Sequence, residues 1–299
     1  MMPAAPRLVC LGNLTIDDLV LPDGREVPGC IGGDALYAAL AARFWEPKAA
    51  MVAPVGRDFP PAVLAEIEAA GLSAEGLTRR DLATLRNRVA YRPNGERTWT
   101  LFSSEDDFDA LSPLPGDIPD GFMGAEAFLV LAMTLPAQER LVAHLKATTR
   151  ALVALDPQED YIAGNEAALR RLIAQVDVFM PSAEEVRRLL GHEDWPAAAE
   201  TFAALGPATV VVKLGAEGCL IRHRGEVLRE PAAPATVRDT TGAGDCFCGA
   251  FMASLVRDGF DLALAARRGA EAASRAIEDY GVAAMLRAAA AANRVGGLA

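Results

Sequence analysis

Nine residues carry most of the chemistry that can be read from this chain: DTTGAGDCF, Asp239 to Phe247. Gly242 and Gly244, separated by the small Ala243, let the backbone curl tightly and approach a ligand with no side chain in the way. Beyond them Phe247, Phe251 and Leu255 recur every four positions, with Ala250 and Ser254 beside the stripe. That spacing predicts a helix that begins near Gly242 and buries one face. A helix start offers unsatisfied N–H groups and a positive partial charge, a site for phosphate or for negative charge that develops in a reaction. Asp245 falls in the first turn, off the apolar stripe, and its Cα–Cβ bond tilts toward the helix start. A proton acceptor therefore stands beside an anion site. The bland alternative for GxG spacing alone is a glycine turn whose acid merely complements the helix dipole.

The longer string resembles the signature of the ribokinase-like (PfkB) carbohydrate kinases. The resemblance implies that Gly242, Ala243 and Gly244 form an anion hole, that Thr241, Gly242 and Gly244 adjoin the nucleotide, and that Asp245 is the catalytic base. It implies ATP and magnesium, with potassium as a candidate monovalent cation, and a sugar-like acceptor carrying a hydroxymethyl group. Two departures stand out. The family's first signature is a glycine pair with an Asn four residues after the second Gly; here the pair is Gly32 and Gly33, and Tyr37 stands at the Asn position. The family usually has N-x-x-E after a later strand, its Glu organising the water shell of magnesium; here the residues are Ser182 and Glu185. S-x-x-E is also a capping box, which needs no metal.

The elements that must position these residues follow the α/β alternation. RLVCLGN, Arg7 to Asn13, is a short apolar run that predicts the first strand, with Asn13 and Asp17 after its end. Ligands of open α/β sheets gather beyond the carboxyl ends of strands, so Asp17 is placed to accept hydrogen bonds from sugar hydroxyls, a role the resemblance also implies; an Asx turn is the alternative. LVLPDGREVPGC predicts a hairpin turning at Pro22, Asp23 and Gly24, and RVAYRPNGERTWTLF a second one around Asn94-Gly95. Together they form a small β lid, about residues 18–30 and 86–103. Arg88, Arg92 and Arg97 in the second hairpin fit an exposed sheet edge better than a phosphate site.

DALYAALAARFW predicts a helix with Leu36, Leu40 and Phe44 on one face, and Asp34 as a candidate N-cap. A strand at Ala50 to Val55 and a helix from Pro60 to Ala70 follow; the alternation resumes with AFLVLA, a helix through Leu145, and ALVALD ending at Asp156. ATVVVKLGAEGCLIRH resembles the family's strand–Gly–strand beside the nucleotide, which makes Lys213 and Gly215 candidate ATP contacts; a solvated edge lysine is the alternative. Leu262 to Asp279 and Ala283 to Asn293 are helical in pattern, and the resemblance implies that this region closes over adenine. The whole predicts one domain over residues 1–299, a ribokinase-like three-layer α/β/α fold with a mostly parallel central sheet.

Composition narrows the partners. The chain has 299 residues, 52% hydrophobic and 23% charged, enough to build a substantial core. Lys and Arg total 29 against 40 Asp and Glu, a net charge of −11 with no basic stripe, which argues against nucleic acid. No apolar run approaches the length of a membrane span, and Asp17 and Asp18 come too early for a secretory leader, so a cytoplasmic protein is expected. Five cysteines without CxxC and three scattered histidines predict neither a disulfide framework nor a zinc site. Cys246 and Cys248 read as small packing residues rather than reactive thiols. Exposed lid edges suggest a homodimer. A nucleoside or sugar-phosphate kinase of the same fold, or a member that binds without turnover, are the alternatives to a sugar kinase.

Overall fold

Runs of Val, Leu and Ala with no polar interruption make strands that must be covered on both faces. The computed structural model describes residues 5–92 and 97–296. Its first strand, β1 (Leu8–Leu11), leads into the hairpin β2 (Thr15–Val20) and β3 (Glu26–Gly32), then α1 (Asp34–Arg43), β4 (Ala49–Val52) and α2 (Pro61–Ala69). A second hairpin, β5 (Leu85–Tyr91) and β6 (Arg97–Leu101), precedes the short α3 (Glu105–Ala110). Then come β7 (Ala127–Val130), α4 (Leu135–Thr148), β8 (Leu152–Leu155), α5 (Glu166–Ile173), β9 (Val178–Phe179), α6 (Ala183–Leu190), α7 (Trp195–Ala203) and β10 (Thr209–Lys213). The chain finishes with β11 (Cys219–His223), β12 (Glu226–Glu230), α8 (Ala243–Arg257), α9 (Leu262–Ala276) and α10 (Ala283–Gly296).

The central sheet has the order β12-β11-β10-β9-β8-β7-β1-β4; only β11 and β12 run antiparallel to their neighbours. Alternate strand residues enter different cores. Leu8 and Cys10 join α1, α8 and α9 on one face, while Val9 and Leu11 join α4 and α5 on the other. A one-residue slip would exchange the two sets, so the register Leu8↔Ala49 and Leu8↔Ala127 is set by packing on both sides. The expected three-layer α/β/α fold is what the chain forms.

Helix α1 differs from its predicted single apolar face, since every residue from Ala35 to Ala42 is buried. It packs on the sheet against β4 and β1, side by side with α8, which touches β7 and β1, and its alanines allow the close approach. A side chain at Gly249 of α8 would overlap the Ala38 carbonyl, so glycine is needed there. This contact fixes the helix that begins at Gly242 against the helix that begins at Gly33.

The two hairpins form one separate four-stranded sheet of order β3-β2-β5-β6, joined through a parallel β2–β5 pairing. The small sheet is the lid; it spans residues 15–32 and 85–101, wider at its base than expected, because β2 starts two residues after Asn13 and pairs with β5 from Leu85. Asp17 accordingly sits inside a lid strand rather than in a loop at the end of β1. The predicted Asn94-Gly95 turn lies outside the described residues. Lid packing is thin, with Leu19, Leu21, Val89 and Tyr91 buried together. No described helix is long and apolar enough to cross a membrane.

Candidate active site

The carboxyl ends of β1, β7, β8, β9 and β10 open onto a cleft of about 1190 Å³, closed on its far side by the lid and by the start of α8. Parallel strands direct their following loops to one edge, which is why residues far apart in sequence converge here.

Gly242 is the N-cap of α8, with φ +74°. The Tyr37 ring occupies the space a side chain at Gly242 would need. Both the left-handed backbone and the ring contact require glycine. Tyr37, 3% exposed, thus forms the floor of the glycine loop. Asp245 lies in the first turn of α8 and lines the cleft with Thr241, Gly242, Ala243 and Gly244. The loop is anchored by Asp239, which is buried: its Oδ1 accepts from the Thr241 N–H at 2.8 Å, and its Oδ2 from Gly281 N–H at 3.1 Å and Tyr91 Oη at 2.7 Å. Tyr91 belongs to β5, so the lid and the anion loop share this carboxylate.

At the end of β10, Lys213 Nζ donates to Asp156 Oδ1 at 2.5 Å. Burial lowers the lysine's proton affinity, but the combined pull of Asp156, Cys248 and Glu185 outweighs it and holds the ammonium above its ordinary range. Nζ stands 3.5 Å from the place a Gly244 side chain would begin, and the side chain is buried, so the cation adjoins the glycine loop and is not a solvated edge charge. Beside it, Ser182 and Glu185 form the capping box of α6: Ser182 N–H donates to Glu185 Oε2 at 2.5 Å, and Glu185 N–H to Ser182 Oγ at 3.2 Å. Glu185 also faces the cleft, and burial pushes its carboxyl up while Lys213 pulls it back. One carboxylate therefore caps a helix and still lines the cleft.

Toward the lid, Asn87 Nδ2 donates to Asp17 Oδ1 at 2.9 Å. Asn13 Nδ2 donates to the Leu111 carbonyl at 2.8 Å. Burial pushes Asp17 to about 6, with hydrogen bonds from Asn87 and Thr15 opposing it. Gly33, φ +109°, caps α1 and lines the cleft, whereas Gly32 lies behind it, where a side chain would collide with the Asp17 carboxylate. Asp34 is the first residue of α1 rather than its N-cap. Its Oδ1 accepts from Asn13 N–H at 2.6 Å, and burial, then repulsion from Asp245, push its carboxyl well up.

Comparison with known proteins decides the relationship. The family model for pfkB family carbohydrate kinases matches residues 8–289. The chain belongs to the pfkB carbohydrate kinase family. It is therefore a phosphotransferase whose acceptor is an alcohol group. It is 29% identical over 282 residues to a cytidine kinase of Thermococcus kodakarensis, covering 92% of this chain and 97% of that one. Solved structures share the fold at 21% identity. A candidate ribokinase II from E. coli in complex with ATP and Mg2+ superposes with a TM-score of 0.79, covering 95% of this chain and 97% of that one. The Burkholderia thailandensis nucleoside kinase in complex with inosine gives 0.78, covering 96% of each.

For this pfkB kinase the structure gathers Asn13, Asp17, Gly33, Tyr37, Glu185, Lys213, Gly215, Thr241, Gly242, Ala243, Gly244 and Asp245 around one cleft. Gly32 backs it. Sequence reading gave no place in the cleft to Asn87, Asp156 or Asp34, and did not find the bond from Tyr91 to Asp239. Asp156 had a visible signal, an acid ending a core strand; Asn87, inside an alternating strand, had none. The C-terminal expectation divides: α9 contributes Ala270, Ala273 and Ser274 to the cleft, but α10 packs on α1 and α2 and contributes no lining residue. Cys246 and Cys248 are fully buried, and burial raises both thiols, which fits packing residues. Arg88 pairs with Glu26 at 2.8 Å on the exposed side of the lid.

Proposed function

We propose that the protein is an ATP-dependent kinase that transfers the γ-phosphoryl group of ATP to a hydroxymethyl group of a sugar or sugar-like molecule. The observation that carries this reading is the juxtaposition of Asp245, the backbone of Gly242 to Gly244 and the acceptor-side Asp17 in one cleft at the carboxyl edge of the sheet. The neighbour solved with ATP and Mg2+ supports the choice of nucleotide and metal.

Phosphoryl transfer asks of the protein alignment, a base and stabilisation of charge. In this reading Asp17 orients the acceptor, and Asp245 takes the proton of its hydroxymethyl group as the oxygen attacks the γ-phosphorus. The N–H groups at the start of α8 and the Lys213 ammonium lie where charge on the transferring group develops. The lid excludes water, the competing acceptor. Among the described residues no set of three or more His, Cys, Asp or Glu is arranged to hold a metal by itself. Magnesium keeps several waters and takes one or two carboxylates plus phosphate oxygens; in this reading Glu185 and Asp156, which line the cleft, would receive those waters. When bound, it neutralises charge on the phosphates. The expected homodimer would use the open edges of the lid sheet, β3 and β6.

Incubation with ATP and Mg2+, with and without potassium, over sugars, cyclitols, nucleosides and sugar phosphates tests the reading. A phosphomonoester on a primary alcohol, seen by phosphorus NMR with coupling to two protons, is the expected product; phosphorylation of a secondary hydroxyl, or none in any arm, would count against it. The cytidine kinase relative and the inosine-bound neighbour favour a ribosyl compound as a second reading of the acceptor.

Asp17 adds a pH dependence. Its folded carboxyl titrates near 6, above the roughly 3.9 of an unfolded chain. Between those values the native state holds a proton the unfolded chain has released, so this group's contribution to stability is full below about 4 and is lost as pH rises through about 6. Binding runs the other way, because the ionised form accepts hydrogen bonds from hydroxyls. Acceptor kcat/KM should therefore rise with pH with an inflection near 6. Asp17→Asn should lose that inflection; its persistence in the variant would assign it elsewhere.

A further inference from the structure

The acceptor side of the cleft offers hydrogen-bond acceptors without donors to match. Asn13 and Asn87, 2% and 4% exposed, spend their amide N–H groups on the Leu111 carbonyl and on Asp17, and each leaves its Oδ1 with no partner among the described residues. Buried acceptors left unpaired are costly, so a ligand that brings hydroxyl donors is favoured. Charge narrows the ligand further. Among the described residues lining the cleft, Lys213 is the only cation, and it is held by Asp156 on the nucleotide side; Asp17 and Asp34 stand on the acceptor side. A sugar phosphate or sugar acid would set its anion against carboxylates with no cation among the described lining residues on that side to meet it.

Next to these polar groups is an aromatic shelf. In the β5–β6 pairing Asn87 faces Leu101 and Val89 faces Trp99, so all four share one face of the lid sheet. Asn87, Val89 and Trp99 line the cleft, as does Phe108 of α3. Trp99 remains 48% exposed there, a large apolar surface that a free sugar bonded to the asparagines would not need.

We infer that the acceptor is an uncharged nucleoside, its ribosyl hydroxyls held by Asp17, Asn13 and Asn87 and its base laid against Trp99 and Phe108. This rests on the phosphotransfer reading above and narrows its acceptor. The full-length protein with ATP and Mg2+ is assayed with cytidine, inosine, ribose, fructose and fructose 6-phosphate, and nucleoside binding is measured separately by calorimetry without ATP. At least one nucleoside should exceed ribose in kcat/KM by about tenfold or more, the scale of one base–aromatic stack. Trp99→Ala should raise nucleoside KM and Kd by about the same factor while the KM for ATP stays near its original value, and Trp99→Phe should recover most of the loss. Ribose, fructose or the phosphosugar preferred over both nucleosides, or nucleoside affinity unchanged in Trp99→Ala, would overturn the inference and leave phosphotransfer standing. Nucleoside binding with no turnover of any acceptor would leave the recognition standing and remove the phosphotransfer reading. Neither binding nor turnover would remove both. If Trp99→Ala does not fold, the preference of the unmodified protein for nucleoside over ribose still decides the question.

Discussion

Replacing Asp245 by Asn should lower kcat by about 100-fold to 10,000-fold while acceptor binding changes little, because the change removes proton acceptance but keeps shape and hydrogen-bonding capacity. The acid sits in the first turn of α8, whose N-cap is Gly242. Asp245 thus shares one helix start with the proposed anion hole, and the proton acceptor lies beside the place where negative charge develops. Steady-state turnover with a working acceptor gives kcat, and calorimetry gives acceptor affinity. Near-normal turnover in the variant would remove Asp245 as the base. A large loss of affinity with kcat preserved would make it a binding residue instead.

Lys213→Met should destabilise the fold by about 3 kcal/mol or more, because it leaves a buried carboxylate uncompensated. The two side chains are 13% and 5% exposed and meet at 2.5 Å. Glu185 stands close enough to influence the lysine's charge. The same change removes the ammonium adjoining Gly244, so activity should fall further than stability accounts for. Denaturant unfolding of Lys213→Met and of the double variant Lys213→Met with Asp156→Leu separates the contributions. Partial recovery of the midpoint in the double variant is expected, since replacing both charges by apolar groups is far less costly than removing one. An unchanged midpoint in the single variant would mean that solvent or another cation compensates Asp156.

What was legible in advance was whatever is encoded over a few consecutive residues. The glycine pair and Asp245 were readable because a helix start and its dipole are local properties. The lid hairpins were readable from alternation and turn residues, although their parallel union through β2 and β5 was not, since pairing partners are separated by about seventy positions. Tyr37 shows the limit from the other side. As a departure from the family pattern it was conspicuous, but its role as the floor beneath Gly242 depends on how α1 packs against α8.

The amino-acid sequence by itself determined the fold class and the phosphotransfer family, and it marked the glycine loop before α8, because hydrophobic periodicity and a contiguous glycine signature need no distant partner to be recognised. Only the tertiary structure decided that Asp156 holds Lys213 beside the loop, that Asn87 supports Asp17, that Tyr91 ties the lid to Asp239 and that Trp99 lines the cleft. Each of these joins residues from different strands or from the two sheets. Strand order and register place them together, and those are set by burying two cores and a lid at once rather than by any local run of residues.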